Sequence, residues 1–212
     1  VIIDCVADLH GSYPALDGGD LLIVAGDLTA RDSPDEYHWF IDWIVAADYK
    51  RKIVIAGNHD GTIRKDDEFF HIHRIDQYKD FDYLQDSGTE FDGLKIWGSP
   101  WTPEFCGWDF MLPRGPEIAK KWALIPDDTD ILVTHGPPWG VLDKNSDGEH
   151  CGCEELRLAL ERVKPKLHVF GHIHEGYGQM LFKHQGPNTI CVNASHMDAL
   201  YNPVNKVIRV ML

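Results

Sequence analysis

A chain of 212 residues, 43% hydrophobic and 25% charged, is long enough for one well-cored domain and ordinary enough in composition to be globular. Lys and Arg total 20 against 34 Asp and Glu, a net charge of −14, which argues against a surface that tracks long nucleic acid, because phosphate contacts need a basic face. No apolar run approaches the ~18 residues that would cross a bilayer, and five cysteines are an odd number in a chain too large to need disulfide staples. The first residues, Val1-Ile2-Ile3, read as a strand with no basic stretch or cleavage site before it. A cytoplasmic protein, a single domain over 1–212 and no membrane partner are the expectations.

In chain order, strands are expected over residues 1–7 and 21–25, joined by a loop containing Gly18-Gly19-Asp20. Ser33-Pro34-Asp35-Glu36 is a capping box with proline at the first helical position. It should launch a helix to about Ala47, with Tyr37, Phe40, Ile41 and Ile44 on one face. A strand over 52–56 and a helix over 66–79 follow, the latter carrying His71 and His73 on its surface. Short strands are expected over 80–84, 89–91 and 94–97, then a helix over 115–124. Ile131–Thr134 reads as a strand, Glu154–Val163 as a helix closed by Pro165, and Leu167–Phe170 as a strand. Three strand-like runs occupy 177–211. Early βα units with antiparallel strands at the end predict two mixed sheets packed face to face with helices outside.

Five short motifs then stand out: Asp8-Leu9-His10, Gly26-Asp27, Gly57-Asn58-His59-Asp60, His135-Gly136 and Gly171-His172-Ile173-His174. Most follow an apolar strand, and open α/β sheets place their sites at strand ends. The mixture of carboxylate, imidazole and one amide oxygen suits a pair of divalent transition metals. On an extended segment Asp8 and His10 would point the same way and share one ion, and His172 and His174 would share a face of the turn after their strand. Gly26 permits a tight turn that leaves the Asp27 carboxylate at the strand tip, able to bridge two cations. Asn58 offers a weak neutral ligand at home on Mn²⁺ or Fe²⁺. His59, diverging from its neighbour, would hang over the open face as a proton donor, with Asp60 orienting its ring.

Other residues carry blander readings. Cys5 and Cys191 lie in apolar segments and read as buried small hydrophobes. Cys151-Gly152-Cys153 reads as a turn opening the next helix, since a zinc site wants wider cysteine spacing and further ligands. Trp97 reads as core, and Trp108 is an aromatic with packing as its default. Trp101 and Trp139 each follow a proline just beyond a strand and could border the site and stack on a base. His196 could reach the same pocket.

The five motifs together resemble the signature of the calcineurin-like metallophosphoesterases, covering Asp8 to His174. Gly98-Ser99-Pro100-Trp101, Thr134-His135-Gly136-Pro137-Pro138, the run from Lys166 to Gly178 and Val192-Asn193-Ala194-Ser195 are similar to the brain-type MPPED members. The resemblance implies a four-layer α/β/β/α sandwich of two mixed sheets. It also implies two divalent metals, Mn²⁺ first with Fe, Zn, Co or Ni as alternatives. One would take Asp8, His10, Asp27 and His174, the other Asp27, Asn58, His135 and His172. Asp60 stands where those relatives tend to have Glu, which leaves the orienting role open to either carboxylate; His172 is kept where some relatives have lost it. The implied activity is hydrolysis of small phosphodiesters such as cyclic nucleotides, the 2′,3′ type included, by in-line attack of a hydroxide bridging two metals about 3.5–4 Å apart. Asn58 and His59 would contact the phosphate. A phosphomonoesterase acting on nucleotides is the alternative within enzymes, and a metal-binding scaffold without turnover the alternative from another class. A nuclease is disfavoured by charge.

Overall fold

The computed structural model describes residues 1–65 and 81–212. The expected helix over 66–79, with His71 and His73, lies outside the described residues. In the first half, β1 (Ile2–Val6), β2 (Gly19–Ala25), β3 (Tyr49–Ile55) and the two-residue β4 (Asp82–Tyr83) run parallel. A second sheet is formed by β5 (Ser87–Phe91), β6 (Leu94–Ser99), β9 (Ile131–Thr134), β10 (Leu167–Phe170), β11 (Gly178–Phe182) and β12 (Thr189–Asn193). Its order is β11-β12-β10-β9-β6-β5, with a parallel centre and antiparallel edges. The last strand, β13 (Ile208–Met211), returns to the first sheet and pairs antiparallel with β1. A two-residue pair, β7 (Thr102–Pro103) with β8 (Met111–Leu112), was not legible as strand; each is too short to show a period.

Strands that are covered on both faces must be apolar on both, and the runs Leu21–Ala25 and Ile131–Val133 are buried throughout. Between the sheets, Ile3, Cys5, Ile23 and Ile55 of the first pack with Ile96, Val133, Val169 and Val192 of the second. The outer face of the first sheet is covered by α1 (Pro34–Ala46), whose Tyr37, Phe40 and Ile44 meet Leu22, Val24 and Val54. A five-residue helix, α2 (Gly61–Lys65), follows β3. The outer face of the second sheet takes α3 (Pro116–Trp122) and α4 (Glu154–Val163), through Ile118, Trp122, Leu156 and Val163 on Leu132. The result is the expected four-layer α/β/β/α sandwich.

Local chemistry explains the helix starts. Ser33 Oγ accepts from the Glu36 amide and Glu36 from the Ser33 amide, so the capping box is complete. Cys153 caps α4, its Sγ accepting from the Leu156 amide at 3.4 Å, which is the turn role expected of the Cys151-Gly152-Cys153 run. All five cysteines are free. The two sheets are laced together at one end: the Ala7 amide donates to the Ala194 carbonyl and the His196 amide to the Ala7 carbonyl. Among the described residues no helix is long and apolar enough to cross a membrane.

Candidate metal centre

The loops leaving β1, β2, β3, β9 and β10 meet at that laced end. Asp8, His10, Asp27 and His172 all adopt left-handed backbone conformations, with φ of 52°, 43°, 52° and 69°. Residues other than glycine rarely do so, and such strain gathers at functional sites. This corrects the expectation for Asp8 and His10: they do not sit on an extended segment. They lie in a turn held against the next loop, the Asp8 amide donating to Gly26 and the His10 amide to Asp27. Gly26 has φ +96°, and a Cβ there would stand 2.5 Å from His135 Nδ1. A Cβ on Gly171 would stand 2.2 Å from Asp8 Oδ2. Close approach therefore requires glycine at both positions, and at Gly26 the turn requires it as well.

Among the described residues, three overlapping groups of donor atoms could each hold a cation: Asp8, His10 and His174; His10, Asp27 and His59; and Asp27, His135 and His172, with the atoms of each group within 4.8 Å of one another. His172 and His174 thus diverge into different groups rather than sharing one face. Asp27 Oδ2 lies 3.6 Å from His10 Nε2 and its Oδ1 lies 3.4 Å from His135 Nε2. His174 Nε2 is 3.8 Å from Asp8 Oδ1. These spacings exceed hydrogen-bond length, ~2.7–3.2 Å. They suit two ligand atoms that each lie about 2.0–2.2 Å from one ion.

The donor chemistry makes the same case. His135 Nδ1 faces the Ala25 carbonyl at 2.9 Å and donates to it. In a neutral ring, Nε2 then turns a lone pair to Asn58 Oδ1 at 2.9 Å and to Asp27 Oδ1. Acceptors so converged need a proton or a cation among them. His174 Nδ1 likewise faces the Asp198 carbonyl at 3.1 Å, the usual arrangement behind a ligating imidazole. His10 Nε2 is buried without a hydrogen-bond partner.

Burial holds the His10 imidazole below its ordinary pKa against the pull of Asp27 and Asp8. Burial, helped by repulsion from His135, brings His172 down to about 4. Burial also opposes charge on His135, but Asp27 outweighs it and raises that ring to about 9. Burial opposes ionisation of Asp27 too, yet His135 and His10 hold its carboxyl well below the usual range. Ligation requires carboxylates and neutral imidazoles, so a cation would take the place of the proton that Asp27 keeps on His135. The residues present fit bound metal ions.

Asp60 needs a correction. It is fully buried, and its carboxylate accepts from the amides of Leu28, Thr29 and Gly57 and from Thr29 Oγ1 at 2.7–3.1 Å. Burial and the charge of Asp27 push it up to about 7. The group that fixes the His59 ring is the Ala30 carbonyl, 3.0 Å from Nδ1. A backbone carbonyl leaves no mark in a sequence, so this partner could not be read there. His59 also donates its amide to Asp27 Oδ1 at 2.8 Å.

Ser195 is a further member. Its Oγ donates to Asp8 Oδ2 at 2.5 Å and lies 2.8 Å from Asn193 Oδ1, while the His172 amide donates to the same Asp8 carboxylate. The run Val192–Ser195 carries family likeness, but a serine hydroxyl there has no signal of its own.

The residues expected to border the substrate differ in their surroundings. Trp101 donates Nε1 to Asp86, lies under Lys121 and packs on Phe110, so it is a structural residue between core clusters. Trp139 stands beside His150, which Asp143 holds at 2.7 Å. The His196 ring is turned to the Asn205 carbonyl at 2.8 Å. Among the described residues, the aromatic rings that do touch the imidazoles are two others. Trp108 lies over His59 with centroids 4.2 Å apart, and Tyr201 stands edge-on to His10 at 5.1 Å and His174 at 4.8 Å.

The family model for calcineurin-like phosphoesterases matches residues 2–176. The human metallophosphoesterase domain-containing protein 1 is 42% identical over 95% of this chain and 68% of its own length. The UPF0046 protein T07D4.2 of Caenorhabditis elegans is 37% identical over 82% of this chain and 51% of its own. A solved structure, TT1561 of Thermus thermophilus, shares the fold at 14% identity with a TM-score of 0.59, covering 99% of this chain and 97% of that one. With metal-donor clusters at the strand ends of this sandwich and a family match across most of its length, the chain belongs to the calcineurin-like phosphoesterases, metal-dependent hydrolases of phosphate esters.

Proposed function

We propose that the protein is a dinuclear-metal phosphodiesterase acting on small diesters such as cyclic nucleotides, the 2′,3′ type among them. The observation that carries this reading is the Asp27 carboxylate, whose two oxygens face different imidazoles, His10 and His135. One ion would be held by Asp8, His10, Asp27 and His174, the other by Asp27, Asn58, His135 and His172. The mixed oxygen and imidazole set favours Mn²⁺, with Fe, Zn, Co or Ni as alternatives. When bound, such a pair supplies Lewis acidity and a water acidic enough to act as nucleophile near neutral pH.

The remaining work falls to the chain. Asn58 would present its amide beside the phosphate, while the Ala25 carbonyl fixes the His135 ring through Nδ1. His59, pinned at Nδ1 by Ala30, keeps Nε2 for the departing oxygen, donating a proton or hydrogen bond as negative charge develops there. Asp60 acts through the backbone of Leu28, Thr29 and Gly57 and so positions the Asp27 and Asn58 loops. A net charge of −14 disfavours dianionic monoesters more than monoanionic diesters, and it disfavours long nucleic acid. Free thiols suit a reducing compartment and support a cytoplasmic setting.

The test is a panel offered to the Mn²⁺-loaded protein: 2′,3′- and 3′,5′-cyclic nucleotides, mononucleotides and bis-para-nitrophenyl phosphate. Faster turnover of the diesters is expected. Release of phosphate from mononucleotides alone would move the assignment to a phosphomonoesterase.

A further inference from the structure

An unbroken chain of ring contacts crosses the candidate metal centre. It runs from Trp108 to His59 at 4.2 Å, on to His10 at 4.6 Å, and then to Tyr201 at 5.1 Å, which also meets His174. The imidazoles in the middle are buried or half-buried. The two terminal rings are not: Trp108 is 45% exposed and Tyr201 58% exposed. Large aromatic rings left open to water beside a polar centre lose the burial that ordinarily stabilises them, unless something else covers them.

The loop that holds Tyr201 is heavily built. Tyr201 has a left-handed backbone, φ 61°, and its amide donates to the Asp198 carbonyl, the same carbonyl that receives His174 Nδ1. Asp198 Oδ1 accepts from the Leu200 and Asn202 amides, and Asn205 Nδ2 ties the loop back to Ser195 and Met197. A turn anchored to a candidate ligand thus keeps one ring standing over two imidazoles. On the other side Trp108 lies tilted by 36° against His59, the residue assigned to the departing oxygen.

We propose that Trp108 and Tyr201 form an aromatic rim that receives the organic group of the substrate, and that the site thereby selects phosphate esters bearing a planar ring, aryl or nucleobase, over aliphatic ones. The phosphate end is set by the polar centre and the ring end by these two side chains, since every base and aryl group offers a π-face for stacking. This rests on the phosphoesterase reading of the same centre and adds the substrate class to it.

The test measures binding separately from turnover. Calorimetric titration of the Mn²⁺-loaded protein compares phenylphosphonate with methylphosphonate, neither of which can be hydrolysed at its P–C bond by ester cleavage. The phenyl compound is expected to bind about tenfold more tightly, within the range that stacking provides. Trp108→Ala and Tyr201→Ala should each cut that preference to about threefold or less, and Trp108→Phe and Tyr201→Phe should restore most of it. Equal affinity of the two compounds in the unmodified protein, no binding of either, or a preference untouched by both alanine variants would overturn the rim. Phenyl preference in a protein that turns over no ester would leave the rim standing and remove the diesterase assignment.

Discussion

Asp27 and His59 touch through a single hydrogen bond, yet they should fail in different ways when replaced. Asp27 faces both imidazole groups, so Asp27→Ala should lose metal and turnover together. His59→Ala should keep its metal and lose most of kcat, by about 10²-fold or more, the usual worth of a positioned proton donor. Elemental analysis beside steady-state rates reads both, and equal metal loading of the two variants would sink the bridging role of Asp27. Ser195→Ala should weaken metal binding by about 10–100-fold without unfolding the chain, because its hydroxyl orients Asp8 from behind; a competitive chelator titration measures this. These residues also mark the limit of what a sequence can disclose. Candidate metal donors belong to few residue types and follow strands, so Asp8, His10, Asp27, Asn58, His135, His172 and His174 stand out as a set. The Ala30 carbonyl has no side-chain identity, and Ser195, Trp108 and Tyr201 are of types whose ordinary roles are elsewhere. Their place at the site is a product of folding in three dimensions.

Among the elements, α1 has a second duty beyond covering the first sheet. Its Glu36 closes the capping box and also accepts from the amides of Ala30 and Arg31, both at 3.0 Å. It therefore fixes the short loop whose Ala30 carbonyl holds the His59 ring. A glutamine there would turn amide hydrogens toward backbone donors. Glu36→Gln should cost roughly 1–3 kcal/mol, lowering Tm by about 2–4 °C per kcal/mol in a chain of this size. It should also lower kcat while metal content stays unchanged. A variant with reduced Tm and unaltered kcat would detach α1 from the chemistry. The capping box itself was legible because it is a local pattern of four residues, and the buried strands because apolar runs ending in glycine have few other readings. Element ends were less so: β3 begins at Tyr49 rather than Lys52, and α3 spans Pro116–Trp122 rather than 115–124. Nor does local sequence reveal that Asp8 and His10 leave the extended state, because their conformation is imposed by bonds to the Gly26-Asp27 loop.

At the scale of the whole molecule, the sandwich also buries titratable groups outside the candidate metal centre, and these contribute to its response to acid. His168 lies on the helix-facing side of β10, fully buried, in register with Leu132 and Cys191. Thr134 Oγ1 donates to the Gly136 carbonyl, so the 2.8 Å contact with His168 Nε2 is made by the histidine as donor. That fixes the neutral ring with its proton on Nε2, and leaves Nδ1 buried without a partner. Burial brings this imidazole down to about 3. An unfolded histidine titrates near about 6.5. As pH falls below that value the unfolded chain takes up a proton that the folded chain refuses, so the stability contributed by the neutral ring is full above the unfolded pKa. It drains away on the way down to the folded one, at up to about 1.4 kcal/mol per pH unit. His168→Gln can still donate to Thr134 Oγ1 but cannot charge. Urea unfolding of the metal-free protein from pH 7 to pH 4 should therefore give a shallower acid limb for the variant than for the parent. The other buried histidines are common to both proteins, so their contributions cancel in the comparison. Parallel curves would show that His168 is protonated in the folded state or that its environment admits water.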